Sequence, residues 1–158
     1  GVELFLKERG ITSFRTGVGD TNVLKEMRRR GINIGGEQCG HIILWYKQCT
    51  GDGILVGILL GLLLDADGRG LQKLASQVPV FPQVLESIPL TDNERWQNHK
   101  SFMSKLKKLM RAYGSAVRFL VRPSGTESVV RVLTEAEDAL LAKRANEDVV
   151  ALFKEHFE

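Results

Sequence analysis

The sequence contains few of the residues that define specialised protein classes. It has 2 cysteines and 4 prolines among 158 residues, and aromatic residues make up 7% of the chain. Two cysteines without CxxC spacing exclude a disulfide-rich scaffold and indicate a reducing, cytoplasmic compartment. The sequence has no fixed-period repeat, which excludes solenoids, collagen-like chains and long coiled coils.

Long apolar segments are also missing. The longest apolar run covers residues 53–64, whereas a membrane-spanning helix needs about 18 or more apolar residues. Charged residues interrupt the first segment of the chain, so we expect no secretory signal there. The chain begins with Gly1 rather than Met, which is compatible with an excised or processed piece.

The charge bias is small, with a formal net charge of +3. The basic residues are scattered, and the one basic run, Arg28–Arg30, falls at the predicted end of a helix. There it complements the negative end of the helix dipole. We therefore predict a solvated helix end at this run and no nucleic-acid partner.

The composition is that of a globular protein, with 43% hydrophobic and 26% charged residues. Pro79 and Pro82 interrupt the pattern of helices and strands near the middle of the chain. We predict an α/β domain over residues 1–78 and an α+β domain over residues 79–158.

Strands and helices alternate in the first half, as in βαβ packing. A helix is predicted from a cap at Thr21 or Asn22 to Gly31. Its inner face is expected to consist of Val23, Leu24 and Met27. Residues 54–64 are apolar on nearly all sides, so we predict a buried helix capped by the turn at 50–53. The other predicted elements are strands over 32–34 and 41–46, loops over 35–40 and 65–70, and a helix over 71–77.

The second half is predicted as strand, helix, strand, strand, helix. Its first strand, residues 80–88, is expected at a sheet edge because Pro82 has no backbone N–H. A capping box at 91–94 is predicted to open one helix that continues to about Tyr113. The inner stripe of that helix is Trp96, Phe102, Leu106, Leu109 and Tyr113. The remaining elements are strands over 116–121 and 129–133 and a helix over 138–157.

The turn between the last two strands carries the strongest chemical signal. It reads R-P-S-G-T-E at residues 122–127, and another arginine follows at 131. Hydroxyl groups donate hydrogen bonds, glycine allows close approach or a positive φ, and arginine binds phosphate through two donors. We therefore predict an anion-binding loop. The alternative is a tight turn whose arginines pair with Glu127 and Glu135. The candidate residues are Arg122, Ser124, Gly125, Thr126 and Arg131.

A second signal is the glycine-rich segment G-G-E-Q-C-G-H at residues 35–41, which presents Glu37, Gln38 and His41. A carboxylate accepts hydrogen bonds from the hydroxyl groups of a sugar, and histidine can donate or transfer a proton. We therefore predict a sugar-binding loop with His41 as an acid/base candidate. The alternative is a plain connection whose histidine begins a strand and points at a backbone carbonyl.

Taken together, the two loops resemble those of the α-D-phosphohexomutases. The matching segments are V-G-D at 18–20, G-G-E-Q-C-G-H-I-I at 35–43, T-G-D-G-I at 50–54, F-P-Q-V-L at 81–85 and R-P-S-G-T-E-S-V-V-R-V at 122–132. These segments occur in the family's order and extend over most of the chain. Their combination is far more specific than any one of them.

Members of this family have four domains around one cleft. The resemblance implies that the chain is the end of the third domain, which is α/β/α, followed by a TATA-binding-protein-like α+β fourth domain. It implies that Glu37, Cys39 and His41 contact the sugar. It also implies that the phosphate that is not transferred is held by Arg122, Ser124, Gly125, Thr126 and Arg131.

In the family, a phosphoserine passes its phosphoryl group to one end of a sugar phosphate, and the bisphosphate then rephosphorylates the serine from its other end. This sequence lacks the serine loop and the Mg²⁺ loop with three alternating aspartates. Residues 51–53 and 65–68 are only superficially similar to that Mg²⁺ loop. We therefore expect no metal ligands in this chain, Mg²⁺ bound in a longer parent, and no activity from this chain alone.

The G-G-E-Q-x-G-H-I-I and F-P-Q-V-L segments favour members that interconvert glucosamine 6-phosphate and glucosamine 1-phosphate. Such members are isomerases of amino-sugar metabolism that serve cell-wall synthesis. Members acting on mannose or glucose phosphates, and a non-catalytic phosphosugar-binding module, are the alternatives. The implied partners are a phosphorylated hexosamine, the remaining domains of the parent and a second copy in a homodimer, with no nucleic acid or membrane.

Two positions depart from the family's pattern. The family usually has serine where this chain has Cys39, whose thiol is a weak hydrogen-bond donor. It usually has a basic residue where this chain has Thr21. The expected sugar contact is therefore weaker here, and one positive charge is missing.

Overall fold

Helices and strands alternate through both halves of the computed structural model, which describes residues 1–90 and 95–157. This mixture confirms the predicted fold class. The chain divides into unit 1, Gly1–Pro79, and unit 2, Val80–Glu158. The predicted capping box at 91–94 lies outside the described residues. No described helix combines the length and the apolar character needed to cross a bilayer.

Unit 1 is built around a small antiparallel hairpin. Its elements are α1 (Val2–Glu8), α2 (Asp20–Arg30), β1 (Ile34–Gly36), β2 (Ile42–Leu44), α3 (Gly53–Asp67) and α4 (Leu71–Ala75). Strands β1 and β2 pair antiparallel, with Ile34 opposite Leu44. A short loop joins these two strands, whereas a parallel pair would need a crossover connection of about a dozen or more residues. The predicted βαβ arrangement is therefore wrong here, and the predicted strand at 32–34 begins at Ile34.

Helix α2 lies on this hairpin through the predicted apolar face. Val23 and Met27 are buried together with Ile43 of β2, and Leu24 packs beside them. The predicted end is confirmed, because Gly31 takes the left-handed conformation that closes helices, with φ of 67°.

The predicted start of α2 is wrong. Gly19 is the N-terminal cap residue, with φ of 115°, and no side chain caps the helix there. Thr21 and Asn22 already lie inside the helix. The Asn22 amide instead donates to a backbone carbonyl of the preceding turn at 2.7 Å, so this side chain fixes the turn and not the helix N-terminus.

Helix α3 is capped as predicted but is not buried. Asp52 Oδ1 accepts the Leu55 N–H at 2.9 Å, and the helix continues to Asp67, into the predicted loop. None of its residues is buried. Its most exposed large side chains are Ile54 (79%), Leu63 (66%), Leu62 (63%) and Ile58 (59%). The prediction of burial is wrong because the two-stranded sheet of unit 1 is too small to cover a helix that is apolar on all sides.

Unit 2 packs two helices on one face of a three-stranded antiparallel sheet. Its elements are β3 (Gln83–Pro89), a 3-10 helix (Arg95–Asn98), α5 (Lys100–Ala112), β4 (Val117–Pro123), β5 (Val129–Ala136) and α6 (Ala139–Phe157). The sheet order is β3-β5-β4, so β3 lies at an edge as predicted, although it begins only after Pro82. The predicted continuous helix is interrupted at His99, where the 3-10 helix gives way to α5.

The core of unit 2 lies between the sheet and its helices. Along β5, every second residue is buried, namely Val130, Val132, Thr134 and Ala136. Asn146 of α6 donates through Nδ2 to the Val132 carbonyl at 3.0 Å. From the predicted stripe, Trp96, Phe102 and Leu106 are buried.

We expect Phe102→Ala to destabilise unit 2 by about 3–5 kcal/mol, the usual cost of truncating a buried phenylalanine. Phe102 is 0% exposed and its ring lies 4.7 Å from that of Phe153. Urea unfolding followed by Trp96 fluorescence, in a Trp45→Phe background, measures the free energy. Leu140→Ala, at a side chain that is 77% exposed, is the control and should change it by less than about 0.5 kcal/mol. Equal losses would contradict this core.

Candidate functional site

The loop between β1 and β2 is closed by two backbone hydrogen bonds. The Glu37 N–H donates to the His41 carbonyl at 2.9 Å, and the Gly40 N–H donates to the Glu37 carbonyl at 3.0 Å. Gly40 takes a φ of 99°, a conformation that residues with a Cβ rarely adopt. The tight turn brings residues 37, 39 and 41 to one side of the loop.

The carboxylate of Glu37 is held from behind by the start of α2. The Gly19 N–H donates to Glu37 Oε2 at 2.8 Å, and the Glu37 side chain is only 14% exposed. Its other oxygen, Oε1, lies 3.6 Å from Nδ1 of His41, whose side chain is 65% exposed. The imidazole therefore faces a carboxylate and not a backbone carbonyl. The role of Gly19 was not predicted, although a glycine directly before a helix was a usable signal.

Gly35 allows this loop to sit close to α2. A Cβ built at Gly35 would lie 2.6 Å from Cγ1 of Val23 and would also overlap the sulfur of Met27. A side chain at this position would push β1 away from the helix. Because Glu37 follows two residues later, the same contact sets the distance between Glu37 and Gly19.

The loop between β4 and β5 also has a closed backbone. The Ser124 N–H donates to the Val129 carbonyl at 2.9 Å, and the Val129 N–H donates to the Glu127 carbonyl at 2.9 Å. Ser124 is buried. Gly125 does not take a positive φ, which corrects one of its two predicted roles, and a Cβ there would meet no atom within 4 Å. The backbone at Gly125 is therefore open to a ligand.

The two candidate arginines lie directly opposite each other on adjacent strands. Arg122 of β4 pairs in register with Arg131 of β5, so both side chains project from the same face of the sheet. Arg131 Nη2 donates to Glu127 Oε2 at 2.6 Å, while its Nε is buried without a hydrogen-bond partner among the described residues. Among those residues, no ion pair involves Arg122.

The alternative interpretation of this turn, in which its arginines pair with Glu127 and Glu135, holds for Glu127 only. Glu135 Oε2 accepts from Arg118 Nη1 at 3.2 Å and also from the amide of Gln83. Glu135 is therefore paired with residues beside it on the two neighbouring strands, at the end of the sheet away from Arg122 and Arg131. Like charges directly opposite each other destabilise a sheet, and among the described residues Glu127 forms an ion pair with Arg131 and none is found at Arg122.

The basic run at the end of α2 has partners inside its own unit. Glu26 accepts from Arg29 Nη2 at 2.7 Å and also pairs with Arg30. The guanidinium groups of Arg29 and Arg30 lower the pKa of the Glu26 carboxyl to about 2. Arg28 lies 5.0 Å from the centre of the Trp45 ring. These contacts agree with the predicted solvated helix end.

The two aspartate segments that resemble a Mg²⁺ loop, at 51–53 and 65–68, do not form a Mg²⁺ site. Asp65 and Asp67 lie in α3, where residues two apart point away from each other. Asp67 pairs with Arg69, and Asp52 caps the helix. Among the described residues, the one group of three ligand side chains is Glu37, Cys39 and His41, with ligand atoms within 4.8 Å of one another. Magnesium prefers an octahedron of oxygen atoms, which this group does not supply.

Family comparison assigns both units. Residues 1–81 match the family model described as phosphoglucomutase/phosphomannomutase, alpha/beta/alpha domain III, and residues 85–152 match the C-terminal domain of the same family. The chain belongs to the phosphoglucomutase/phosphomannomutase family. Both candidate loops of this family member, at 35–41 and 122–127, thus lie in matched segments, one in each unit.

Individual relatives of this phosphoglucomutase/phosphomannomutase chain agree with one another. The phosphoglucosamine mutase of Lactobacillus gasseri is 40% identical over 150 residues, which are 95% of this chain and 33% of the relative. The phosphoglucosamine mutase of Streptomyces coelicolor is 42% identical over 138 residues, which are 87% of this chain and 30% of the relative. The chain therefore spans about a third of the length of the curated relatives that it matches.

Solved structures show the same fold. The N-acetylphosphoglucosamine mutase of Aspergillus fumigatus, in complex with GlcNAc-6P and magnesium, superposes with a TM-score of 0.74 at 16% identity, covering 96% of this chain and 38% of that one. A second structure of the Aspergillus fumigatus enzyme gives a TM-score of 0.80 at 18% identity, and the match covers 97% of this chain and 36% of that one.

We expect Gly35→Ala to destabilise unit 1 by about 1–3 kcal/mol, the usual cost of inserting a methyl group into a packed contact. Val23 is stiff at χ1 and cannot move aside without shifting the backbone. Gly57→Ala in α3, where a Cβ meets nothing within 4 Å, is the matched control and should be neutral or stabilising. Urea unfolding followed by Trp45 fluorescence measures both variants. A neutral Gly35→Ala would contradict the close contact.

Proposed function

We propose that this chain supplies the phosphate-binding and sugar-binding parts of a phosphoglucosamine mutase, which interconverts glucosamine 6-phosphate and glucosamine 1-phosphate. The observation that carries the proposal is the register of β4 with β5, which places Arg122 opposite Arg131 beside a closed serine-glycine-threonine loop. A dianionic phosphate offsets the repulsion between two guanidinium groups and offers each of them two acceptor oxygens.

In unit 2, Arg122 and Arg131 hold the phosphate that is not transferred. The buried Nε of Arg131 gains an acceptor when a phosphate oxygen approaches, which removes the cost of an unsatisfied buried donor. Ser124, Gly125 and Thr126 complete the loop with hydroxyl and backbone N–H donors. Glu127 then competes with the phosphate for Arg131.

In unit 1, Glu37 accepts hydrogen bonds from sugar hydroxyl groups. The Gly19 N–H holds one carboxylate oxygen in place, so the other oxygen is oriented before the sugar binds, which lowers the entropic cost of binding. His41 and Cys39 lie on the same side of the loop and add contacts to the sugar, and His41 is an acid/base candidate. The Cys39 thiol is the weakest donor of the three.

Glucosamine phosphate is favoured over glucose or mannose phosphate by the relatives. The Lactobacillus gasseri and Streptomyces coelicolor proteins, at 40% and 42% identity, are both phosphoglucosamine mutases. The alternative within the family is a phosphomannomutase or phosphoglucomutase. A comparison of glucosamine 6-phosphate with mannose 6-phosphate as ligands separates the two.

The remainder of the reaction needs groups that these residues do not provide. We propose that the phosphoserine nucleophile and Mg²⁺ belong to other domains of a longer isomerase, since Asp52 is committed to a helix cap and Asp67 to a pair with Arg69. The chain by itself then binds but does not transfer phosphate. We further propose a cytoplasmic location and a homodimeric parent without a nucleic-acid or membrane partner.

We expect Arg122→Ala to weaken binding of glucosamine 6-phosphate by about 10- to 100-fold, because hydrogen bonds to charged groups contribute about 1.5–3 kcal/mol. Calorimetric titration of the purified chain measures the dissociation constant. Arg118→Ala is the matched control. It removes the same side chain from the same strand, but Arg118 pairs with Glu135, so the dissociation constant should hardly change.

Equal affinity of the Arg122→Ala and Arg118→Ala chains would contradict the phosphate site. A second titration with inorganic phosphate separates the two subsites, because loss at Arg122 should affect both ligands equally. Glu37→Gln should weaken the binding of glucosamine 6-phosphate and leave that of inorganic phosphate unchanged. If Glu37→Gln changes neither, the sugar loop is assigned wrongly.

A further inference from the structure

The loop at 37–41 carries three side chains with three different ligand atoms. Glu37 offers a carboxylate oxygen, Cys39 a sulfur and His41 an imidazole nitrogen, all within 4.8 Å of one another. Cys39 is a free, exposed cysteine. A sugar-binding loop does not need a sulfur atom, nor a combination of oxygen, sulfur and nitrogen ligand atoms. A borderline-soft divalent metal ion such as Zn²⁺ binds all three types of ligand atom.

The spacing of the ligand atoms is close to that of a tetrahedral zinc site. Zinc binds nitrogen and oxygen at about 2.0–2.2 Å and sulfur at about 2.3 Å, so neighbouring ligand atoms lie roughly 3.4–3.6 Å apart. His41 Nδ1 and Glu37 Oε1 are 3.6 Å apart already. The sulfur of the exposed Cys39 lies within 4.8 Å of a ligand atom of each of these two residues, so a small adjustment of this side chain completes the third position.

The surroundings support the ligands as they do in metal sites. A ligating carboxylate is usually fixed by a hydrogen bond to its other oxygen, and the Gly19 N–H makes that bond to Glu37 at 2.8 Å. The backbone bonds between Glu37 and His41 keep both ends of the loop together without using any ligand atom. Little ordering therefore remains to be done when an ion arrives.

We propose that Glu37, Cys39 and His41 form a Zn²⁺ site with three protein ligands and water in the fourth position. On binding, the S–H bond of Cys39 breaks, its proton passes to solvent and a Zn–S bond forms, with no change of oxidation state. Mg²⁺ does not compete, because thiolate and imidazole are poor ligands for it. If the same three side chains also bind the sugar, Zn²⁺ and the sugar compete for them. This competition is the one part of the inference that rests on the proposed function.

The experiment uses Co²⁺ as a spectroscopic substitute for Zn²⁺ on the full 158-residue chain. We expect a thiolate-to-cobalt charge-transfer band that saturates at one Co²⁺ per chain and is displaced by one equivalent of Zn²⁺. Cys39→Ser should abolish the band. Cys49→Ser is the matched control, because Cys49 is the other free, exposed cysteine, and it should keep the band unchanged.

His41→Ala should lower the Zn²⁺ affinity at least about tenfold, since the loss of an outer-shell partner alone costs about that much. The imidazoles of His99 and His156, whose ring centroids are 5.0 Å apart, could bind Co²⁺ but give no thiolate band. A band that is absent from the unsubstituted chain, or that persists in Cys39→Ser, overturns the proposal. An unchanged Zn²⁺ affinity in His41→Ala does so as well. No sugar is used, so the outcome is independent of the proposed sugar binding.

Discussion

The alternation of side chains along β5 is the constraint on which unit 2 depends. Its even-numbered residues are buried against the helices, and Arg131 lies on the opposite face beside Arg122. A slip of the register by one residue would bury Arg131 and expose Val130 or Val132. The core thus fixes the position of the candidate phosphate site, because the same strand carries both.

In unit 1, a close packing contact likewise fixes the position of the candidate loop, although this unit has a smaller sheet. Gly35 allows β1 to approach Val23 of α2, and the approach brings Gly19, at the start of that helix, to the carboxylate of Glu37. One absent side chain, at Gly35, and one hydrogen bond from the Gly19 N–H to the Glu37 carboxylate therefore orient the loop that also carries Cys39 and His41. The same arrangement suits a sugar hydroxyl and a metal ion, since both need a fixed carboxylate oxygen.

Helix α3 marks the point at which reasoning from composition fails. Its residues are apolar on all sides, which is typical of a buried helix, yet none of them is buried. An apolar pattern indicates that a helix has surface to bury, but it does not indicate whether the chain contains another element to pack against it. The chain spans about a third of the length of its curated relatives, and the family model that matches residues 1–81 describes an alpha/beta/alpha domain.

The sequence by itself determined the features that depend on neighbouring residues. These are the end of α2 at Gly31, the helix cap within the turn at 50–53 and the side chains that the two loops carry. Tertiary structure alone decided that Glu135 pairs with Arg118, that the Gly19 N–H holds the Glu37 carboxylate, and that α3 is exposed. The physical reason is distance along the chain: caps and turns close within about four residues, whereas register and packing join residues far apart in sequence.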